Sequence, residues 1–254
     1  MIPIAFQPFS VHEAFRKDFA GTVKEVAKIG YDGIELACTP FDWKGDTLSV
    51  KERQKIVSDL GMKVSCMHAK WEELDRTFDR VVEDAATFQT VDVVIPWRPP
   101  EIFTSAEKII ELGELLGAMG AKLHKAGLHF SYHNHNYDYK VWDGLPGVEW
   151  MMQVTAPQNL SVEVDTYWVY HSGNDPVKAI SRLGTRARFL HLKDGSMTKQ
   201  TELGSGDIDF RGIFDVCEKV GSVKWYIVEQ EQFNFAPMES MRLNLEYIKR
   251  LTGA

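Results

Sequence analysis

The sequence predicts an α/β fold, an (α/β)8 barrel, for this 254-residue chain. Three observations carry that expectation. Short β-like runs alternate with amphipathic helical runs eight times without a clear break, which demands parallel strands with right-handed crossovers. Helical patterns stop at glycine, at Gly30, Gly61, Gly127 and Gly221. No G-x-G-x-x-G follows the first strand and no P-loop occurs, so an open nucleotide-binding sheet gains little support. Residues 1–254 therefore read as one domain.

The elements follow in order. The first strand is expected at 2–7 (IPIAFQ), and a helix at 17–29 repeats Phe19, Val23, Val26 and Ala27 at helical spacing. The second strand is 33–38 (GIELAC), followed by a helix at 49–60 that stops at Gly61. Next come the strand 63–69 (KVSCMHA), a helix at 76–89 and the strand 92–97 (DVVIPW). A long helix covers 105–126, the fifth strand is 128–134 (LHFSYHN), and a weaker helix lies near 145–154. The sixth strand, 160–165 (LSVEVD), precedes a helix at 175–183. The seventh, 187–193 (ARFLHLK), precedes a helix at 210–220. The eighth, 224–230 (KWYIVEQ), precedes the closing helix at 237–251. Two polar loops, 136–144 and 194–209, fall on the barrel face where active sites are built.

Composition narrows the class. The chain is 44% hydrophobic and 26% charged, ordinary for a globular protein, with a formal net charge of −7. No block of Lys and Arg offers a nucleic-acid footprint, and no apolar run approaches the ~20 residues of a membrane span. The opening MIPIAFQPFS lacks a basic region and a long apolar stretch, so a cytoplasmic protein is expected. Cys38, Cys66 and Cys217 are far apart and odd in number, which favours free thiols over a disulfide.

Chemistry is sought at the C-terminal ends of the strands, which converge on one pocket in such a barrel. The stretch SVEVDTYWV (161–169) sets Glu163 and Asp165 on one face of a strand. Two buried like charges need a positive partner. Other strand ends offer Glu35, His68, the trio His133, Asn134 and His135, then His191 with Lys193 and Asp194, then Glu229 with Glu231. Asp165, His191 and Glu229 fall at equivalent positions of successive units, and imidazole and carboxylate ligands from separate strands suit one divalent ion. A metal ion, helped by Lys193, is then the partner of the paired carboxylates. Glu35, His68 and Asp194 are candidate substrate-binding groups. Trp97, Tyr137, Trp142, Tyr167 and Trp168 either cap the core or wall a sugar pocket. His12, His124 and His129 read as ordinary helix or strand residues, and His171 as a loop residue.

The segments VAKIGYDGIEL (26–36), CMHA (66–69), YHNHNYDY (132–139), EVDTYWVYHSGNDPVKAI (163–180), RFLHLKDG (188–195) and WYIVEQE (225–231) carry a resemblance over nearly the whole chain. The sequence resembles the sugar phosphate isomerase/epimerase superfamily, the xylose-isomerase-like TIM barrels. The resemblance implies one divalent metal, Mn, Mg, Zn or Co, held by Glu, Asp, His and Glu from strands five to eight. Asp165, His191 and Glu229 match the last three. Where the epimerases carry the first Glu, this chain has His133, so either His133 or Glu163 is the fourth ligand. Many relatives have His three residues after the Asp, where this chain has Trp168, and the epimerase proton-shuttle pair is therefore not carried over intact. The endonuclease IV branch needs three zinc ions and more ligands, and a net charge of −7 would repel DNA.

The implied chemistry is proton abstraction beside a carbonyl of a sugar or keto-sugar, with a metal-stabilised enediolate. His133, His135 or Glu229 would act as base, with Lys193 as acid or electrophile. Return of the proton gives an isomerase or epimerase, and loss of a β-leaving group gives a lyase or dehydratase acting on a keto-sugar, an inosose or a 3-keto-glycoside. A sugar-binding barrel or partner subunit without turnover is the reading from another class, and the number of ionisable strand-end residues argues against it. An unphosphorylated small-molecule substrate is expected, with no nucleic acid or membrane partner and a homo-oligomer as an option.

Overall fold

The computed structural model describes residues 1–37 and 48–253. Eight strands close into a parallel barrel: β1 (Ile4–Phe6), β2 (Gly33–Ala37), β3 (Lys63–His68), β4 (Asp92–Ile95), β5 (His129–His133), β6 (Ser161–Asp165), β7 (Ala187–Leu192) and β8 (Trp225–Val228). Each strand pairs with its chain neighbours, and β1 closes on β8 with Ile4 opposite Tyr226 and Phe6 opposite Val228. The helices that return the chain are α1 (Phe19–Ile29), α2 (Val50–Asp59), α3 (Phe78–Phe88), α4 (Ala106–Lys125), α5 (Gly147–Gln153), α6 (Pro176–Leu183), α7 (Phe210–Val220) and α8 (Pro237–Thr252).

The expected boundaries of these strands and helices hold to within two residues. Cys38, assigned to the end of the second strand, lies outside the described residues. The sequence reading missed short helices at His12–Lys17, Trp71–Arg76 and Thr166–His171. His171 therefore ends a helix rather than sitting in a loop. It also missed two hairpins: Val141–Trp142 pairs with Leu145–Pro146, and Asp194–Gly195 with Gln200–Thr201. The second lies in the polar loop 194–209, and the first runs from the loop 136–144 into residues 145–146, where the weaker helix was expected to begin.

Alternation along each strand divides the core in two. Outward residues such as Phe6, Ile34, Val93, Tyr132, Val164 and Leu190 are buried under the helices. Inside the barrel, Ala5, Cys66, Val94, Phe189 and Ile227 form a separate apolar plug near its N-terminal end. Local capping fixes where helices start. Ser49 and Glu52 form a reciprocal capping box on α2, and Asp175 caps α6 ahead of Pro176. Along α4, Gly113, Gly117 and Gly120 share one face, and a Cβ on Gly120 would lie 1.6 Å from the Asn159 carbonyl oxygen. These glycines let α4 lie directly on the segment 151–159. Among the described residues no helix is long and apolar enough to cross a membrane.

Candidate active site

Above the apolar plug the inward-facing residues turn polar. The first polar layer contains Glu35, His68, Glu163 and His191, all buried. The sheet is irregular beside it: register shifts occur between Ile34 and Leu36 in the β2–β3 pairing and between Val162 and Glu163 in the β6–β7 pairing. Such bulges re-aim side chains next to functional sites. The Glu35 carboxylate accepts hydrogen bonds from Gln7 Nε2 at 2.6 Å and Cys66 Sγ at 3.0 Å. It also meets His68 Nε2 at 2.7 Å and His191 Nε2 at 2.9 Å. Oε2 of Glu163 faces three imidazoles, His68 Nε2 at 3.1 Å, His133 Nδ1 at 3.1 Å and His191 Nε2 at 3.2 Å.

Burial opposes the charges of His68, Glu163 and His191, and the pairing overrides it. Despite desolvation, the Glu35 carboxylate and hydrogen bonds to Glu163 and Glu35 lift the pKa of His68 to about 10. His191 is likewise raised, by Glu163, Glu35 and Glu229 against the effect of burial. Burial works against ionised Glu163 too, yet His191 and the hydrogen bonds from the imidazoles hold it well below the usual carboxylate range.

The second layer sits one step nearer the mouth and is built around Lys193, which is 1% exposed. Its Nζ lies 3.0 Å from Asp165 Oδ2, 2.8 Å from Glu229 Oε2 and 2.7 Å from Glu231 Oε1. The ammonium also lies 5.2 Å from the centre of the Trp168 ring. Burial opposes its charge, but the three carboxylates hold its pKa above the ordinary lysine range. Glu229, opposed by burial and favoured by Lys193 and His191, stays well below the usual carboxylate range. Asp165 is held from two sides. Its Oδ1 accepts from the Trp168 amide at 2.9 Å and caps the helix Thr166–His171, and its own amide donates to Asn134 Oδ1 at 3.0 Å.

His135 lies just past β5. Its ring stands edge-on to His133 at 5.1 Å and stacks on Tyr137 at 5.6 Å. Asp138 accepts from its backbone amide at 2.7 Å. Burial, then the neighbouring His133 and Lys193, push the His135 pKa down to about 3, so the ring is neutral. A cavity of about 280 Å³ opens onto these groups. Gln7, His68, His133, His135, Glu229 and Glu231 form its polar wall, while Phe9, Pro96 and Trp168 are apolar.

Two overlapping sets of side chains bring metal-ligand atoms within 4.8 Å of one another: Glu35, His68, Glu163 and His191, and above it His133, Asp165, His191 and Glu229. The carboxylates of the lower set are engaged by imidazoles, Gln7 and Cys66. In the upper set, Asp165 Oδ2 and His133 Nδ1 are buried and have ionic neighbours but no hydrogen bond of good geometry. Two imidazoles and two carboxylates with such atoms fit a divalent ion, and this set also borders the cavity through His133 and Glu229.

The other expected site residues fall into distinct places. Glu163 lies in the lower layer, beneath the set that fits a metal. Glu35 is also in that layer, 0% exposed, away from the cavity surface where a substrate group was expected. Trp97 is half exposed and Pro96 takes its place on the cavity wall. Tyr137 buttresses His135 from behind and donates to the Arg98 carbonyl at 2.9 Å. Asp194 is turned to its own loop, where its carboxylate accepts from the amides of Gly195, Gly204, Gly206 and Ile208. That arrangement makes it a loop organiser rather than a substrate group. Sequence reasoning passed over Gln7 and treated Cys66 only as a free thiol. The thiol is free and buried, and its place on the inward face two residues before His68 was the available signal.

Residues 23–251 match the family described as Xylose isomerase-like TIM barrel. Among curated proteins, an inosose dehydratase of Mesomycoplasma hyopneumoniae (strain J / ATCC 25934 / NCTC 10110) is 28% identical over 92% of this chain and 88% of its own length. An inosose dehydratase of Bacillus cereus (strain AH820) is 26% identical over 60% of this chain, and that match spans only 56% of the relative. A solved sugar phosphate isomerase/epimerase from Parabacteroides distasonis ATCC 8503 superposes with a TM-score of 0.82 at 22% identity, covering 98% of both chains.

Proposed function

The chain belongs to the xylose isomerase-like TIM barrel family, and from that premise we propose that it is a divalent-metal-dependent dehydratase acting on a keto-polyol such as an inosose. It is a sugar-processing enzyme. The observation that carries the elimination reading is the pairing of unlike groups at the site: the His135 imidazole lines the cavity, and the Lys193 ammonium is buried beside its wall, caged by three carboxylates. A neutral imidazole takes a proton. A lysine ammonium gives one. β-Elimination needs one group of each kind. The names of the curated relatives agree with this reading.

His133, Asp165, His191 and Glu229 are the residues that would hold the ion. When bound, it supplies Lewis-acid stabilisation of the negative charge that builds on the substrate's carbonyl oxygen. His135 removes the proton from the carbon beside the carbonyl, and the C–H pair becomes the new C=C bond. The C–O bond to the β-hydroxyl breaks, Lys193 Nζ protonates the departing oxygen, and water is released. Asp138 and Tyr137 hold the His135 segment in place. Phe9 and Trp168 provide the apolar walls that restrict solvent. Glu229, engaged by both Lys193 and His191, is better suited to ligation than to service as a base.

Isomerisation or epimerisation is the second reading. It is favoured by the His133–His135 pair at one wall, which can take a proton and return it to carbon. Mass analysis in deuterated water separates the two. The enzyme, loaded in turn with Mn, Co, Zn or Mg, is expected to convert an inosose to a product lighter by one water. A product of unchanged composition carrying carbon-bound deuterium would replace dehydration with isomerisation or epimerisation. No turnover of any inosose, keto-sugar or keto-glycoside with any of these ions would leave a binding barrel.

The metal reading has its own check. Asp165→Asn, His191→Ala and Glu229→Gln are expected to stay folded and to lose the bound ion by elemental analysis, against about one ion per wild-type chain for a single site of this donor type. Asn retains the capping oxygen at position 165, so Asp165→Asn separates ligation from helix capping.

A further inference from the structure

Lys193 occupies an unusual place for a catalytic acid. Its Nζ is within 3.0 Å of both Asp165 and Glu229, and these are the two carboxylates of the set that fits a divalent ion. Both carboxylates are buried, at 0% and 9% exposure. Left without a counter-charge, such a pair would be strongly destabilising. The ammonium supplies that charge within the barrel. A divalent ion binds carboxylate oxygen at about 2.0–2.2 Å, so it competes with the ammonium for the same oxygens and repels it at short range. Lys193 has a third partner outside that set. Glu231 Oε1 lies 2.7 Å from Nζ, on a side chain that is 32% exposed and borders the cavity.

We infer that Lys193 is a resident counter-ion of the metal site: an entering divalent ion takes Asp165 and Glu229 from it, and Glu231 retains it beside the cavity. Metal binding is then an exchange of cations, and the exchange delivers an ammonium to the substrate's side of the site. The apo-protein folds because the carboxylates are already compensated. This inference rests on the metal reading above.

The test measures Mn²⁺ binding by equilibrium dialysis, and thermal melting with and without Mn²⁺, on the full chain after chelation and removal of the chelator. Relative to wild type, Lys193→Met is expected to bind Mn²⁺ about tenfold tighter, because no ammonium must be displaced. Its metal-free form is expected to melt lower, because buried Asp165 loses its ammonium and Glu229 is left with the His191 imidazole. Glu231→Gln, which removes the retaining site, is expected to bind Mn²⁺ about fivefold more weakly. Unchanged or weaker binding by Lys193→Met overturns the exchange, since Lys193 would then support the ligands rather than compete with the ion. If Lys193→Met does not fold without metal, Glu231→Gln decides: weakened binding supports the exchange, and unchanged affinity overturns it. Wild-type protein that binds no Mn²⁺, Co²⁺ or Zn²⁺ removes the metal reading itself. Wild-type binding without the shifts in the variants removes only the inference about Lys193.

Discussion

Glu163 and Asp165 stand two residues apart on one face of β6, yet they meet different partners. Asp165 faces an ammonium and Glu163 faces three imidazoles. Glu163 therefore orients the rings of His133 and His191 from below, a task that outer carboxylates perform around metal-bound histidines. Glu163→Gln keeps the shape and removes the charge. It is expected to lower metal affinity about 10- to 100-fold while leaving the melting curve cooperative, as read by dialysis beside circular dichroism. Much of this was legible in the sequence. Period-two alternation put Asp165, His191 and Glu229 on the inward faces of neighbouring strands, although in the register Asp165 stands opposite His191 and Ile227, not Glu229, opposite His191 on the other side. The link from Glu163 to His68 was not legible, because β3 and β6 are not adjacent and only barrel closure brings them face to face. Asp194 misled for another reason. Its position after β7 resembles a site residue, but the four amides it accepts come from a loop whose path no local pattern encodes.

At the scale of elements, the strands and helices that build the barrel were readable because each spans enough residues for its period to show. The hairpins at the mouth have strands of two residues each, too short to carry a period. The short helix after β6 was equally hidden. It starts because the strand's last carboxylate turns to cap it, so one residue ends one element and begins the next. Close packing also left a trace whose meaning only the fold reveals. Gly113, Gly117 and Gly120 are helix-disfavouring residues inside the long helix α4, and each faces atoms a Cβ would strike. Gly120→Ala gains helix propensity but must displace the Asn159 backbone. The clash is expected to win, with a net loss of about 2–3 kcal/mol in a denaturant titration. An unchanged or raised midpoint would show that the segment 156–160 yields freely.

At the scale of the whole molecule, the mouth is held by one carboxylate that joins three segments. Glu202, after β7, accepts from Ser240 Oγ of α8 at 2.7 Å. It also accepts from the Asn234 amide at 3.0 Å and side chain at 2.7 Å, and from Gln230 Nε2 at 3.2 Å. Desolvation opposes its charge, but these donors depress its pKa to about 2. A carboxylate with a folded pKa below its unfolded value stabilises the protein above the unfolded value, about 4.3, and loses that contribution as pH falls toward the folded one. Melting temperature should therefore drop between about pH 4.5 and 2, and Glu202→Gln should start lower and flatten that part of the profile. Identical wild-type and variant profiles would place the acid sensitivity elsewhere. The joint was not readable because its members lie in three separate loop and helix ends. The cage around Lys193 has a corollary for ligand design. A polyhydroxylated amine, protonated at neutral pH, carries the charge of that ammonium on a sugar-shaped frame. Glu229 and Glu231 line the cavity but already hold the Lys193 ammonium, so such a cation gains only where it takes that ammonium's place. An iminosugar is thus expected to bind Lys193→Met more tightly than the wild type.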